Sequence, residues 1–347
     1  MFVYFYTIIF SLILYFIAAH TKIYGKKLPL FAVVIIASIP IFINGAIRYN
    51  VGTDYNGYLY NLYRYKIGID LHKEFIYEFV ESLIVRYNLD FQWIFVFFAL
   101  IFTMFVMNTI LRESPIPLLS IYLLFATRNY FIYLTASRQL CACAIVLFSI
   151  QYIANRKFLK FLICILIASG FHLSSLIWLP MYFLSNLKLN KNKIIAITCF
   201  AVLFRKYVSN LGLFFMSLSK WAYHMSDKYT ATFSTTNLTL QIVLVILAFT
   251  YIKKENKLHN IYMNIQLFAF WIMIYSGTIP LVERLRYYFI LPSICLIPII
   301  INSIKSSRKK LLFSFIILSF YTMYMLSGTM IRDVYNILPY QTIFNIY

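Results

Sequence analysis

His172 is the residue in this sequence best suited to proton chemistry. It sits in Ala168-Ser-Gly-Phe-His-Leu-Ser-Ser-Leu176, well inside a long apolar run. A neutral imidazole is the side chain best matched to take up a proton near pH 7. The alternative is a buried histidine held by a neighbouring hydroxyl, with Ser169, Ser174 and Ser175 at hand. His20, His72, His224 and His259 fall near loops or segment ends and read as solvated. A second group is cationic. Arg48, Arg128, Arg138, Arg284, Arg286 and Arg332 stand at the ends of apolar runs or just within them. A guanidinium close to hydrocarbon either snorkels to the interface or lines a cavity. Several on one side offer planar forks that grip phosphate oxygens in pairs. A base beside such a cluster suits displacement at a lipid diphosphate, where the cations meet the charge of the departing group.

The segment 48–90 carries the other polar groups. It holds Asp54, Asp70, Glu74, Glu78, Glu81 and Asp90, six of the chain's eleven acids, so it is expected to be a folded polar cap and not an incidental connector. Tyrosines recur at 49, 55, 58, 60, 63 and 65. They fit an interfacial aromatic belt, or a sugar-facing surface in which rings cover C–H faces and hydroxyls bond the rims. No phosphate-binding glycine loop is present. His224-Met-Ser-Asp227 has neither the spacing nor the ligand set of a zinc site. No Asp-x-Asp pair occurs in 48–90, and no metal or other cofactor is expected.

These groups must be positioned by membrane-spanning elements. Of 347 residues, 62% are hydrophobic and only 12% charged, about half the charge of an ordinary soluble domain. That excludes a soluble enzyme, a disordered chain and a secreted disulfide scaffold. Apolar runs cover about 2–20, 29–47, 91–111, 116–134, 138–154, 161–185, 194–204, 238–252, 260–281, 287–302 and 311–328. They lack the period-two alternation of barrel strands, so the fold class is all-α and polytopic. About ten or eleven transmembrane helices are expected in a single membrane domain over 1–347. The N-terminal run reads as a retained first span. The five cysteines lie within apolar runs and read as small buried hydrophobes.

The net charge of +20 fits the basic bias of cytoplasmic loops better than nucleic-acid binding. Six short loops hold 17 of the 31 Lys and Arg and only two acids, Glu113 and Glu255. Placing all six inside puts both chain ends and the 48–90 cap outside. It also requires 161–185 to enter and leave on one side, as a re-entrant hairpin turning near Ser169-Gly-Phe-His172. The alternative is an ordinary span at 161–185 with 194–204 not crossing.

Four motifs resemble those of the EpsG family. They are Arg48-Tyr-Asn-Val-Gly52-Thr-Asp54-Tyr55, Arg138-Gln139 opening a span, Phe171-His172-Leu-Ser174 followed by an apolar run and Pro180, and Arg284-Leu-Arg286-Tyr287-Tyr288. Their order and setting match over most of the chain, with least signal in 186–280. The resemblance implies an exopolysaccharide, capsule or O-antigen polymerase similar in role to Wzy. Such an enzyme acts at the outer face of the bacterial cytoplasmic membrane. Its substrate would be an oligosaccharide on undecaprenyl diphosphate, moved as a block onto the non-reducing end of a fresh lipid-linked unit. A chain-length regulator is an implied partner.

Mapped onto that chemistry, Arg48, Arg138, Arg284 and Arg286 would hold the diphosphate. Tyr55, Tyr58, Gln139 and Tyr287 would contact sugar. His172 is the first choice of base and Asp54 the second, because a carboxylate buried among arginines is a poor base. Two other classes stay open: a flippase for the lipid-linked sugar, and a membrane glycosyltransferase adding a single sugar. Against the flippase stands the lack of an internal repeat. Against the glycosyltransferase stands the lone Asp54. A membrane O-acyltransferase would rest on His172 alone.

Overall fold

The structure is a computed structural model that describes residues 2–23, 25–69, 74–217, 234–252, 255–279 and 282–345. Asp70, His72, His224, Asp227, Lys253 and Lys254 lie outside them. The described chain is almost entirely helical, as continuous apolar runs require when backbone groups can be satisfied only within their own segment.

The first helix, α1 (Phe2–His20), meets α2 (Leu30–Ala46) through a small hairpin of β1 (Lys22–Ile23) and β2 (Lys26–Lys27). A two-residue strand, β3 (Arg48–Tyr49), then leads into the cap, made of α3 (Tyr55–Lys66) and α4 (Phe75–Arg86). The central helices are α5 (Trp93–Glu113), α6 (Pro117–Ala126), α7 (Asn129–Thr135) and α8 (Ser137–Ala154). Next come α9 (Phe158–Phe171), a 3-10 turn Leu173–Trp178, α10 (Met181–Leu184), α11 (Lys191–Leu203) and α12 (Arg205–Ser217). The chain closes with α13 (Thr235–Tyr251), α14 (Lys257–Ile274), α15 (Val282–Ile290), α16 (Ser293–Ser303), α17 (Ser307–Met325) and a short strand, β4 (Gln341–Thr342).

Among the described residues, five helical segments are long and apolar enough to cross a membrane: Phe2–His20, Gln92–Glu113, Ser137–Ala154, Arg284–Ser303 and Ser307–Ile331. Helices α11 and α12, bent by 64°, would together make a sixth. This is a multi-pass, all-α membrane protein. The remaining apolar runs are shorter or divided. The run 116–134 breaks at Arg128, whose φ of 67° ends α6 and starts α7. The guanidinium of Arg128 lies 3.6 Å from the Tyr324 ring centroid, and its Nε donates to the Tyr324 carbonyl at 2.9 Å. Arg128 thus ties the α6–α7 break to the end of α17.

The run 161–185 folds as a hairpin. Its first arm, α9, is 14 residues and about 21 Å long. The chain becomes extended at His172 and turns back through Leu173–Trp178. The two arms meet at their base, where the Tyr182 ring centroid lies 5.0 Å from that of Phe158 and 5.2 Å from that of Phe161. Arg156, Lys188 and Lys257 line one cavity of about 900 Å³ there, so three of the basic loops gather at the same end of the bundle.

The cap and the C-terminal segment share another end. β4 pairs antiparallel with β3, Arg48 opposite Thr342, and Gly52 N–H donates to the Asn336 carbonyl at 2.8 Å. Gly52 has φ +97°, and a Cβ there would stand 2.1 Å from the Leu134 carbonyl oxygen. Only glycine permits both the turn and this approach of the cap entry to the end of α7.

Candidate active site

Three helix ends converge where α4 meets the central helices. Glu74 stands at the N-terminus of α4, Arg138 in the first turn of α8, and His172 at the C-terminus of α9. Helix α4 passes close to α9 at Gly170. A Cβ at that position would press to 2.5 Å on the Phe75 ring and 2.7 Å on Ile76. With hydrogen alone at Gly170, the carboxylate of Glu74 reaches the end of α9.

That carboxylate is shared. Oε1 lies 3.1 Å from His172 Nδ1, and Oε2 accepts from Arg138 Nη1 at 2.9 Å. The Leu173 N–H adds a longer contact to Oε1 at 3.4 Å. Burial would push the Glu74 carboxyl up. The hydrogen bond from His172 and the positive charges of Arg138 and His172 outweigh it and hold the group at about 2. His172 therefore does not depend on a serine hydroxyl. Ser169 bonds the Leu166 carbonyl, and Ser174 bonds the Tyr288 hydroxyl at 3.0 Å. With Nδ1–H committed to the carboxylate, Nε2 is the ring nitrogen left to exchange a proton.

Arg138 is fixed by more than one contact. Its Cζ lies 4.6 Å from the Tyr77 ring centroid, and its backbone N–H donates to the Tyr58 hydroxyl at 3.3 Å. Gln139 donates from Nε2 to the Arg284 carbonyl at 2.8 Å, which joins α8 to α15.

These groups surround a cavity of about 200 Å³. Its lining includes Asp54, Tyr58, Arg138, Gln139, His172, Arg284 and Tyr287, together with Thr53, Thr135 and Ala136. Seven of the ten residues singled out in the sequence thus face one space, from segments as distant as 53 and 287. Among the described residues, no three His, Cys, Asp or Glu side chains are gathered closely enough to share a metal ion.

The other three stand elsewhere. Arg48 was expected to grip diphosphate, but it is wholly buried. Its Nη1 donates to the Leu134 carbonyl and its Nη2 to Ser137 Oγ at 2.6 Å, while Cζ lies 4.6 Å from the Phe95 ring centroid. A guanidinium enclosed in this way braces α7, α8 and the cap entry and presents no fork to the cavity. Tyr55, expected to touch sugar, is buried with its ring stacked on Phe95 at 4.7 Å. Arg286 lines a separate chamber of about 30 Å³, which shares Tyr287 with the His172 cavity.

Glu74 is the residue that sequence reasoning passed over. It was visible as one of six acids in 48–90. Its partner lies 98 residues further on, and no local spacing links the two.

An all-helical, multi-pass membrane protein with a carboxylate, an imidazole and guanidinium groups clustered at one cavity is the class that this fold and site define. The sequence profile of the EpsG family matches residues 31–342, nearly the whole chain, and the chain belongs to that family. The family suggests a Wzy-like role in polysaccharide biosynthesis, as a glycosyltransferase-like polymerase acting on lipid-linked oligosaccharide in a membrane. Comparisons with curated proteins and with solved structures return no match.

Proposed function

We propose that this chain is a repeat-unit polymerase at the outer face of the bacterial cytoplasmic membrane. It transfers a glycan from undecaprenyl diphosphate onto the non-reducing end of a second lipid-linked unit. The observation that carries this reading is the Glu74–His172 pair at the edge of a cavity that Arg138 and Arg284 also line. A base oriented by a carboxylate and cations aimed at one space are what a displacement at an anomeric carbon requires.

In the step we infer, the acceptor hydroxyl oxygen attacks the anomeric carbon of the donor sugar. Its proton passes to His172 Nε2. The bond from the anomeric carbon to the diphosphate oxygen breaks, and the electron pair leaves with the diphosphate. Arg138 and Arg284 stabilise that developing charge. Glu74 stabilises the imidazolium that forms and keeps the ring in the competent tautomer. Asp54, Tyr58, Gln139 and Tyr287 line the same cavity and are available for sugar hydroxyls and faces. At about 200 Å³ the cavity is smaller than the roughly 300–1,000 Å³ of pockets that enclose a whole ligand. It fits the reacting centre of a substrate whose chain and lipid extend beyond it.

The test is the length and sidedness of lipid-linked glycans in a strain lacking the gene. Complete single units accumulating on the outer face are expected. Complete units trapped on the inner face would replace this reading with a flippase, and units missing one sugar would replace it with a single-sugar transferase.

A further inference from the structure

Three hollows adjoin one another on one flank of the molecule, neighbours sharing wall residues. An apolar groove of about 520 Å³ opens between α13 and α17. Leu240, Leu244 and Tyr321 line both this groove and the small chamber that holds Arg286. Tyr287 lines both that chamber and the His172 cavity. A row of adjoining hollows thus leads from hydrocarbon-like walls, past one guanidinium, to the cluster of Arg284, Arg138 and His172, with these shared side chains as the partitions between neighbours. Arg284 and Arg286 are two apart on α15 and point to different faces, so each serves a different hollow.

The groove has the dimensions of a lipid-chain site. Its α13 wall runs from Thr235 to Leu247, a distance of about 18 Å at 1.5 Å per residue. That is more than half of a hydrocarbon core of roughly 30 Å. At the end near Arg286 the two helices are bridged by the Tyr324 hydroxyl, which donates to Asn237 Oδ1 at 2.9 Å. Beyond the other end, Tyr251 of α13 faces Phe313 of α17, ring centroids 5.5 Å apart. Between them Val243, Ile316 and Phe320 are exposed, so the groove is open along its length.

We propose that this groove holds the isoprenoid chain of a lipid diphosphate whose phosphates lie between Arg286 and Arg284. Any bilayer lipid can fill an apolar groove. What commits this one is its position: Leu240, Leu244 and Tyr321 part it from a chamber that holds Arg286, and Tyr287 parts that chamber from the reacting centre. The inference rests on the polymerase reading for the identity of the lipid, but its test does not.

The experiment is photolabelling of the full-length protein in phosphatidylglycerol vesicles. The probe is undecaprenyl diphosphate carrying a diazirine in its prenyl chain and no sugar. Label should map to α13 and α17 and be competed by unlabelled undecaprenyl diphosphate. Val243→Trp and Ile316→Trp place an indole in the groove at exposed positions where folding is undemanding. Each should cut labelling at least about tenfold, as expected from losing a few buried methylenes. Label on other helices, or labelling unchanged in both variants, would overturn the proposal. So would label that undecaprenyl diphosphate fails to displace, which would mean ordinary bilayer lipid only. If the deletion strain shows a flippase phenotype while labelling behaves as expected, the groove stands and the polymerase reading falls. The converse result keeps the polymerase and removes the groove.

Discussion

Glu74 Oε1 lies 3.1 Å from His172 Nδ1, while Oε2 of the same carboxylate lies 2.9 Å from Arg138. One acid therefore orients both the proposed base and a proposed diphosphate ligand. Glu74→Gln retains the size and an acceptor oxygen but loses the charge that stabilises an imidazolium. Chain extension in membrane vesicles should fall by roughly 10²–10³, within the range of a general base's contribution, with insertion unchanged. His172→Ala should abolish polymer altogether. Wild-type extension rates in the glutamine variant would remove Glu74 from the mechanism, and full-length polymer from the alanine variant would remove His172.

The same carboxylate gives the cap an acid limit. Its folded-state value is depressed from 4.5 to about 2, so it contributes stability that is fully present above about pH 4.5. That contribution is lost as pH falls through about 2. Fluorescence of the folded protein in detergent should show a cap transition in this window, and Glu74→Gln should remove its pH dependence. Between pH 5 and 9 Glu74 stays ionised, so any neutral-range inflection in turnover belongs to another group.

Arg138 separates recognition from charge. Its guanidinium bonds Glu74, lies over the Tyr77 ring and still lines the cavity. Lysine in its place keeps the charge but cannot bond the carboxylate, cover the ring and present a planar pair of donors together. Arg138→Lys should lower extension by at least about tenfold, the effect of losing one hydrogen bond to a charged group. Lipid-linked single units should accumulate in its place. Normal chain length in this variant would mean that Arg138 serves only to hold Glu74 and not the diphosphate.

The helical, multi-pass architecture was legible in the sequence because continuous apolar runs leave few alternatives. The hairpin was legible because charge and span counts clash unless 161–185 turns back, and the contact of Tyr182 with Phe158 carries that turn. The break at Arg128 was not, since a left-handed residue inside an apolar run leaves no hydropathy signal. At the site, short motifs gathered seven lining residues without revealing how they meet. Glu74 escaped because its pairing spans 98 residues and is made beside the close pass at Gly170. The setting of Arg48 was not legible for a related reason. A motif arginine at a span end looks the same in sequence whether it faces a cavity or is enclosed by Phe95 and Ser137, and burial alone decides.

Arg48 and Gly52 converge on the carbonyl of Leu134. Arg48 Nη1 donates to it, and a Cβ on Gly52 would stand 2.1 Å from it. Both residues lie in the first motif, so loss of function in either variant alone would be ambiguous. If their role is to seat the cap on α7, substitution should show first as lost stability. Arg48→Met removes two hydrogen bonds from a charged donor, roughly 1.5–3 kcal/mol each. Gly52→Ala must move backbone, because the atom it meets is a carbonyl and not a flexible side chain. Both variants should lose the monodisperse peak in detergent after mild heating, at temperatures where His172→Ala keeps it. Any protein that survives should retain an intrinsic rate of extension within a few-fold of wild type. An Arg48→Met protein with wild-type heat resistance and no polymer would return Arg48 to the diphosphate.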